Sequence, residues 1–382
     1  MPWPRSTLAS LGRLTTSREI LRDTFTGREE VVDALILATL AHEHVLLVGP
    51  PGTAKSELVV RFAAAFKAGC FRYLLTRFTE PPELFGPMDI ERFKAGDYHV
   101  RTAGMLPTAE IAFLDEVFHG SSAILNALLT LVQERVFHNG SVVERAPLMT
   151  IVGATNELPE DPTLRAFSDR FLVRVHVEPV PDDALEVLLD RGWALELRRI
   201  TGAAGEATDV PLASEELREL HQRIAEVDLR PIRGLLAQLI RQLRAEGVEL
   251  SDRRVVKAQK LIAAAALLDR AEAASAVHLR PLRHIWTRGE EAPVVDQVVD
   301  QLLAEAGAVS VKPARDVADL KGELATLAAQ AGKLRSESEI TVWLTRLNRL
   351  RHAAIADHPG EAALLKDIDA AIHQLMEALG RV

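Results

Sequence analysis

The sequence predicts an α/β fold: a parallel sheet covered by helices on both faces and carrying a phosphate-binding loop, with an all-helical continuation. Three observations carry this. Short apolar runs alternate with helix-patterned runs through the first half of the chain, the pattern of a sheet buried on both sides. The first such run leads directly into Gly49-Pro50-Pro51-Gly52-Thr53-Ala54-Lys55-Ser56 and then into another helical pattern, the context a phosphate-binding loop requires. After about residue 190 the strand-like runs cease, and the remaining apolar residues recur at helical spacing.

Taken in order, Val31 to Leu40 reads as an apolar-faced helix and His44 to Val48 as a short buried strand. Glu57 to Phe66 is a helix and Phe71 to Leu75 a second strand. Ile111 to Leu114 is a third strand that runs into Asp115-Glu116, followed by a helix over Ser122 to Gln133. Met149 to Ala154 and Phe171 to Val177 complete the strands. Two segments interrupt the alternation. Phe93 to Leu106 contains two glycine turns, and Arg135 to Leu148 contains Asn139-Gly140 between β-formers; both read as inserted β-hairpins, the Asn-Gly pair being the stronger signal. Asn139-Gly140-Ser141 also matches a glycosylation acceptor, but the turn reading is preferred.

Helices are expected over Ser214 to Val227, Arg233 to Glu246, Arg254 to Asp269 and Pro293 to Leu303, then a linker over Gly307 to Asp316. Beyond it, Leu320, Leu324 and Leu327 share one helical face, as do Leu365, Ile368, Ile372, Leu375 and Leu379. This suits a small antiparallel bundle, with a partner-docking surface as the alternative to core helices. The division is therefore an α/β nucleotide-binding domain over 1–190, a helical lid over 191–306 and a C-terminal helical bundle over 307–382.

Of 382 residues, 48% are hydrophobic and only 5% aromatic, so the cores rest on Leu, Val, Ile and Ala. The formal net charge of −9 argues against general binding to nucleic acid or an anionic membrane surface. The N-terminal residues do not read as a signal peptide, and no window approaches the ~20 apolar residues of a membrane span. The single cysteine, Cys70, lies between apolar neighbours; it reads as a buried residue and suits a reducing compartment, the cytoplasm.

The chemistry concentrates where the strands end, the edge at which open α/β sheets bind ligands. The backbone N–H groups of Gly49 to Ser56, with the start of the following helix, can wrap phosphates. Lys55 can reach the β- and γ-phosphates of ATP, and the Ser56 hydroxyl can ligate Mg²⁺. Ala54 stands where glycine is usual, yet keeps its N–H. Asp115 at a strand end can hold the metal from the side opposite Ser56, and Glu116 can polarise an attacking water. Asn156 can hold that water or the γ-phosphate, turn formation being its competing role. Arg170, in Asp169-Arg170-Phe171, can point toward a neighbour's phosphates. Arg253, in Ser251-Asp252-Arg253-Arg254, can reach the γ-phosphate from the helical domain or stand as a solvated charge. The twelve histidines form no recognisable zinc ligand set.

These motifs, in this order, resemble the MoxR-type AAA+ ATPases, with the RavA branch the nearest. Leu75-Thr76-Arg77-Phe78, Leu84-Phe85-Gly86-Pro87 and Ala123-Ile124-Leu125-Asn126-Ala127-Leu128-Leu129 extend the resemblance, which covers about residues 10–305. It implies an AAA+ P-loop core in which Ala54 is an ordinary variant, Glu57 closes the nucleotide loop, and Thr26, Gly27 and Arg28 form the adenine-side loop. It implies that the inserts are the helix-2 insert and the pre-sensor-1 hairpin. Asn156 would be sensor 1, Arg170 the arginine finger and Arg253 sensor 2, with Arg254 the fallback. It further implies an ATP- and Mg²⁺-dependent ring oligomer, commonly a hexamer, acting on protein complexes in a chaperone-like way with a von Willebrand factor A domain partner. RavA carries an inserted domain for which Gly307 to Val382 is too short, so its further partner does not transfer. A nucleotide switch without turnover, a nucleic-acid motor and a chelatase-like subunit are the competing functions.

Overall fold

The computed structural model describes residues 3–181, 184–201, 212–307 and 362–379, with scattered helical positions between 320 and 354. The helices α1 (Arg5–Thr24) and α2 (Glu29–Leu40) precede strand β1 (Val45–Val48), helix α3 (Lys55–Ala65) and strand β2 (Cys70–Leu74). Short helices α4 (Pro81–Phe85) and α5 (Ile90–Lys94) lead to β3 (Ile111–Asp115) and α6 (Ser122–Glu134). A two-stranded unit, β4 (Val136–Asn139) and β5 (Val142–Arg145), is followed by β6 (Thr150–Thr155), α7 (Pro162–Ser168) and β7 (Val173–His176).

Five of these strands form one sheet in the order β2-β3-β6-β1-β7, and every pairing is parallel. Val45 of β1 lies opposite Val152 of β6 and Val173 of β7. Strands β1 and β6 are buried along their whole length, which is why they read as unbroken apolar runs. Because the strands are parallel, the ends of β1, β3 and β6 open on one edge. The expected strands are all present, most within one residue of their observed ends.

Helix α6 shows how sequence sets local structure. Ser121 caps it by accepting from the Ile124 N–H at 3.4 Å, and Ile124, Leu125, Leu128, Leu131 and Val132 form its buried face. It stops at Arg135, whose φ is +53°. The guanidinium of Arg135 then donates to the carbonyls of His42, Leu148 and Met149, tying the helix end to two strand entrances.

The inserts differ from one another. Residues 136–145 form the antiparallel hairpin expected there, turning at Gly140. Phe93 to Leu106 does not form a hairpin. Asp89 caps α5 by accepting from the N–H groups of Glu91 and Arg92, and this draws the first arm into a helical turn. A single antiparallel bridge, Met88 with Val100, closes the segment. Asn139 joins the two inserts. Its side chain accepts from the Val100 N–H at 2.7 Å and donates to the Val100 carbonyl at 3.1 Å. It is 1% exposed, which suits the turn reading and leaves no room for a glycan.

Besides the short α4 and α7 and a 3₁₀ stretch, two long helices do not show in the sequence pattern. The inward face of α1 includes Thr7, Ser10 and Ser17 beside Leu11, Leu14 and Leu21, so its apolar periodicity is diluted. Helix α8 (Leu185–Thr201) spans residue 190 and leaves Leu189, Trp193 and Ile200 exposed. Beyond it come α9 (Ser214–Arg223), α10 (Arg233–Ala245), α11 (Asp252–Leu268), a 3₁₀ stretch over Ala276–His284 and α12 (Glu291–Glu305). One hydrophobic core runs from Leu11 and Leu46 through Phe113 and Phe171 to Leu261 and Trp286. Helix α13 (Ala362–Leu379) contributes Leu364, Ile368 and Leu375 to a separate cluster with Leu320, Leu327 and Leu347, so the apolar tail positions face one another. Beyond Gly307, the expected linker lies outside the described residues.

Cys70 is exposed, not buried. It opens β2, an edge strand whose residues alternate between exposed and half-buried. An apolar neighbourhood in sequence does not bury a residue on a strand with one free edge. Among the described residues no helix is long and apolar enough to cross a membrane.

Candidate nucleotide-binding site

Backbone geometry makes the loop from Gly49 to Ser56. Gly49 donates to the Thr155 carbonyl of β6 at 3.0 Å, and a Cβ there would lie 2.1 Å from the Val177 carbonyl oxygen. Only glycine passes through that gap. Gly52 turns the chain at φ +80°. Ala54, just ahead of α3, has φ +60°, the left-handed region that costs an ordinary residue roughly 1–2 kcal/mol. The departure from glycine at this position is therefore a strained backbone that retains its N–H at the helix N-terminus, where an anion is favoured.

Lys55 bends back beneath the loop. Its ammonium donates to the carbonyls of Gly49 and Pro50, both at 2.8 Å, and approaches Thr53 Oγ1 at 3.4 Å. Burial lowers its pKa, while Asp115 and then Glu116 act in the opposite direction. Both carboxylates are thus within electrostatic reach of the lysine. Ser56 and Asp115 line one cavity of about 250 Å³ together with Arg72, Tyr73, Leu74 and Phe113. A hydroxyl and a carboxylate facing a common space are hard oxygen donors suited to Mg²⁺.

Glu116 follows the end of β3 in a left-handed conformation, φ +49°. Its Oε1 accepts from the Asn156 amide at 2.9 Å, and its Oε2 lies 3.4 Å from His119 Nδ1. The two residues come from adjacent strands, because β3 and β6 pair and the Val117 N–H donates to the Ala154 carbonyl at 2.9 Å. A carboxylate held by a neutral amide beside the phosphate loop can accept a proton from water.

The Thr26-Gly27-Arg28 segment touches the same loop. Arg28 is buried, and its guanidinium donates to Gly27 O at 2.8 Å and reaches Thr53 O at 3.4 Å. Thr26 accepts from Arg191 of α8 at 3.3 Å. The carboxylate of Glu57 pairs with Arg61 one helical turn on, at 2.7 Å, so its backbone rather than its side chain adjoins the loop. Pro50 and Pro51 are exposed at the loop's crest.

The arginines separate. The Gln133 amide, oriented with its oxygen toward Arg170, accepts from that guanidinium at 2.6 and 2.9 Å. Burial, and next the charge of Arg253, lower the Arg170 pKa. These two arginines therefore stand near each other, Arg170 in the turn between α7 and β7 against Gln133 of α6 and Arg253 in the first turn of α11. Arg253 is exposed. Arg254 is fully committed inside the protein. Its guanidinium donates to the carbonyls of Ile285 (2.7 Å), Leu172 (2.7 Å), Phe171 (3.0 Å) and Trp286 (3.2 Å). It also meets Asp169 at both the carbonyl (3.4 Å) and the carboxylate (3.2 Å). The fallback assignment of Arg254 as sensor 2 is accordingly corrected: with 1% of its side chain exposed, it has no path to a phosphate. The sequence reading missed this clamp, although Asp169-Arg170-Phe171 and Ser251-Asp252-Arg253-Arg254 had both been singled out. A cavity of about 830 Å³ lies beside it, lined by Ser168, Asp169, Arg174, Ser251 and Arg288.

Comparison with known proteins agrees with this arrangement. Residues 12–222 match the family described as the MoxR domain in the MoxR-vWA-beta-propeller ternary systems. An uncharacterized protein of Methanocaldococcus jannaschii is 38% identical over 82% of this chain and 80% of its own length. The chaperone MoxR1 of Mycobacterium tuberculosis is 28% identical over 44% of this chain and 45% of its own length. A solved structure of a candidate ATPase from Cytophaga hutchinsonii shares the fold, with a TM-score of 0.61 at 18% identity, over 78% of this chain and 96% of that one.

Proposed function

Because the chain belongs to the MoxR family of AAA+ ATPases, we propose that it binds and hydrolyses ATP with Mg²⁺ in a cytoplasmic ring oligomer, six-membered on the family's pattern, that remodels partner protein complexes. The observation that carries the hydrolytic part is Glu116 held by Asn156 at the strand edge that also carries the phosphate loop. The phosphates lie against the N–H groups of Gly49 to Ser56, and Lys55 exchanges its loop carbonyls for phosphate oxygens. Ser56 and Asp115 would hold Mg²⁺, which would neutralise charge on the phosphates. Glu116 takes a proton from the attacking water, and Asn156 keeps the carboxylate and the water in register. Thr26, Gly27 and Arg28 bound the adenine side.

Arg170, bonded to Gln133 of α6, and the exposed Arg253 beside it would serve the site of the next copy, which a head-to-tail ring would bring opposite them. Charge developing on the transferred phosphoryl group is then stabilised from outside the hydrolysing subunit. The partner follows from the family's description, which names a von Willebrand A protein and a β-propeller beside the MoxR domain.

The test is steady-state turnover with Glu116→Gln and Arg170→Ala. Each should bind ATP as the wild type does and lose at least ~100-fold in kcat, the scale of a missing base or finger. Wild-type turnover retained in Glu116→Gln would falsify the hydrolytic role. With ATP, Glu116→Gln should also retain a von Willebrand-type partner from native extract.

A further inference from the structure

We propose that Arg254 is a positioning residue that fastens the helical lid to the arginine finger, so that the lid of one subunit sets the reach of Arg170 into the next subunit's site. The inference rests on the ring reading above and goes beyond it.

Arg254 sits one turn into α11, where Ser251 caps the helix by accepting from the Arg254 N–H at 3.3 Å. Its side chain leaves the lid and ends in the turn between α7 and β7. There it holds the carbonyls of Asp169, Phe171 and Leu172. Those carbonyls bracket Arg170 on both sides, so the backbone carrying the finger has little freedom independent of α11. The same guanidinium donates to the carbonyls of Ile285 and Trp286, which directly follow the 3₁₀ stretch of the lid. One rigid, planar group therefore bonds both bodies at once.

A buried guanidinium is costly unless its donors are met, and here they are met mainly by main-chain oxygens, Asp169 being the one carboxylate among the described residues that bonds it. Main-chain oxygens report backbone position, so any lid displacement is passed on to the turn instead of being absorbed by a flexible side chain. The adjacent Arg253 is exposed and near Arg170. The doublet thus divides its work: one arginine can face the neighbour's nucleotide, and the other anchors the turn that bears the finger.

The experiment uses mixed full-length chains. Arg170→Ala subunits lack a finger but keep Glu116, whereas Glu116→Gln subunits cannot hydrolyse but keep a finger. Mixing them should restore ATPase activity, because only the first kind turns over and only the second supplies Arg170. Arg254→Lys, which keeps the charge but loses the fork, is then placed in one kind at a time. In the finger-supplying subunit it should lower the restored rate at least fivefold; in the hydrolysing subunit it should change it less than twofold. Equal loss in both arms, or none in either, overturns the proposal. Asp169→Asn in the same two arms gives the same asymmetry if Arg254→Lys fails to fold. If mixing restores nothing, the ring reading fails and this inference with it, an outcome distinct from restored activity without asymmetry.

Discussion

Acid should weaken this fold through His44, and the effect can be worked out from its surroundings. His44 precedes β1 and is 1% exposed. Its Nδ1 accepts from the Ile151 N–H at 2.9 Å and its Nε2 faces the Val132 carbonyl at 2.8 Å. That pair of contacts demands the neutral ring with its proton on Nε2. Burial, and next the charge of Arg135, push its pKa down to about 3. In the unfolded chain the ring titrates near ~6.5, so between these values the unfolded state holds the extra proton. Stability is full above about pH 6.5 and falls as pH drops toward 3. At pH 5 the loss from this one ring is about 2 kcal/mol, a figure set almost wholly by the unfolded pKa because the folded one lies far below. Urea unfolding of wild type and His44→Gln at pH 7.5 and pH 5.0 measures it. The variant should be weaker by about 1–3 kcal/mol at pH 7.5, having lost a buried hydrogen bond, yet its stability should fall about 2 kcal/mol less on acidification. Equal acid losses in the two proteins would refute the reasoning.

Three further outcomes follow from the phosphate loop. Gly49→Ala places a methyl group against the Val177 carbonyl; it should cost about 1–3 kcal/mol or more of stability and abolish tight ATP binding, and an unshifted Tm would contradict the contact. Ala54→Gly relieves a left-handed alanine worth roughly 1–2 kcal/mol, offset by roughly 0.4–1 kcal/mol of added unfolded-chain freedom. Stability should therefore hold or rise slightly with ATP affinity kept, and a clear fall in Tm would count against this balance. Lys55→Met should weaken ATP binding about 100-fold, near 3 kcal/mol for lost charge-assisted bonds, in a fluorescent-nucleotide titration. The Tm without nucleotide should barely move, because the freed Gly49 and Pro50 carbonyls can take water.

The sheet was legible because strands buried on both faces leave contiguous apolar runs, and β1 and β6 are buried at every position. The loop was legible because its residues are contiguous and Gly52 answers to a local turn, although the contact that requires Gly49 is with distant Val177. What escaped was set by distant contacts. The polar inward face of α1 hides its periodicity, and the Asp89 cap outweighs the turn signals of the first insert. Cys70 was misjudged because apolar neighbours in sequence say nothing about a strand's place at the sheet edge. At the site, Glu116 and Asn156 were named separately, and their bond needs the β3–β6 pairing. The doublet Arg253-Arg254 could not be divided from sequence, since only the packing of α11 on the Asp169 turn decides which arginine is buried.

The Asn139 clasp also closes a circuit. The segment bridged at Val100 runs on into β3, which ends at Asp115 just before Glu116, and the hairpin bearing Asn139 runs on into β6, which ends at Thr155 just before Asn156. The two strands lie side by side and are tied at their far ends by the Glu116–Asn156 bond. A closed frame therefore has one asparagine as its joint at each end, Asn139 among the inserts and Asn156 at Glu116. Sliding β3 along β6 would strain the Val100–Asn139 and Glu116–Asn156 bonds together, which makes the inserts and the Glu116 edge two ends of one deformation.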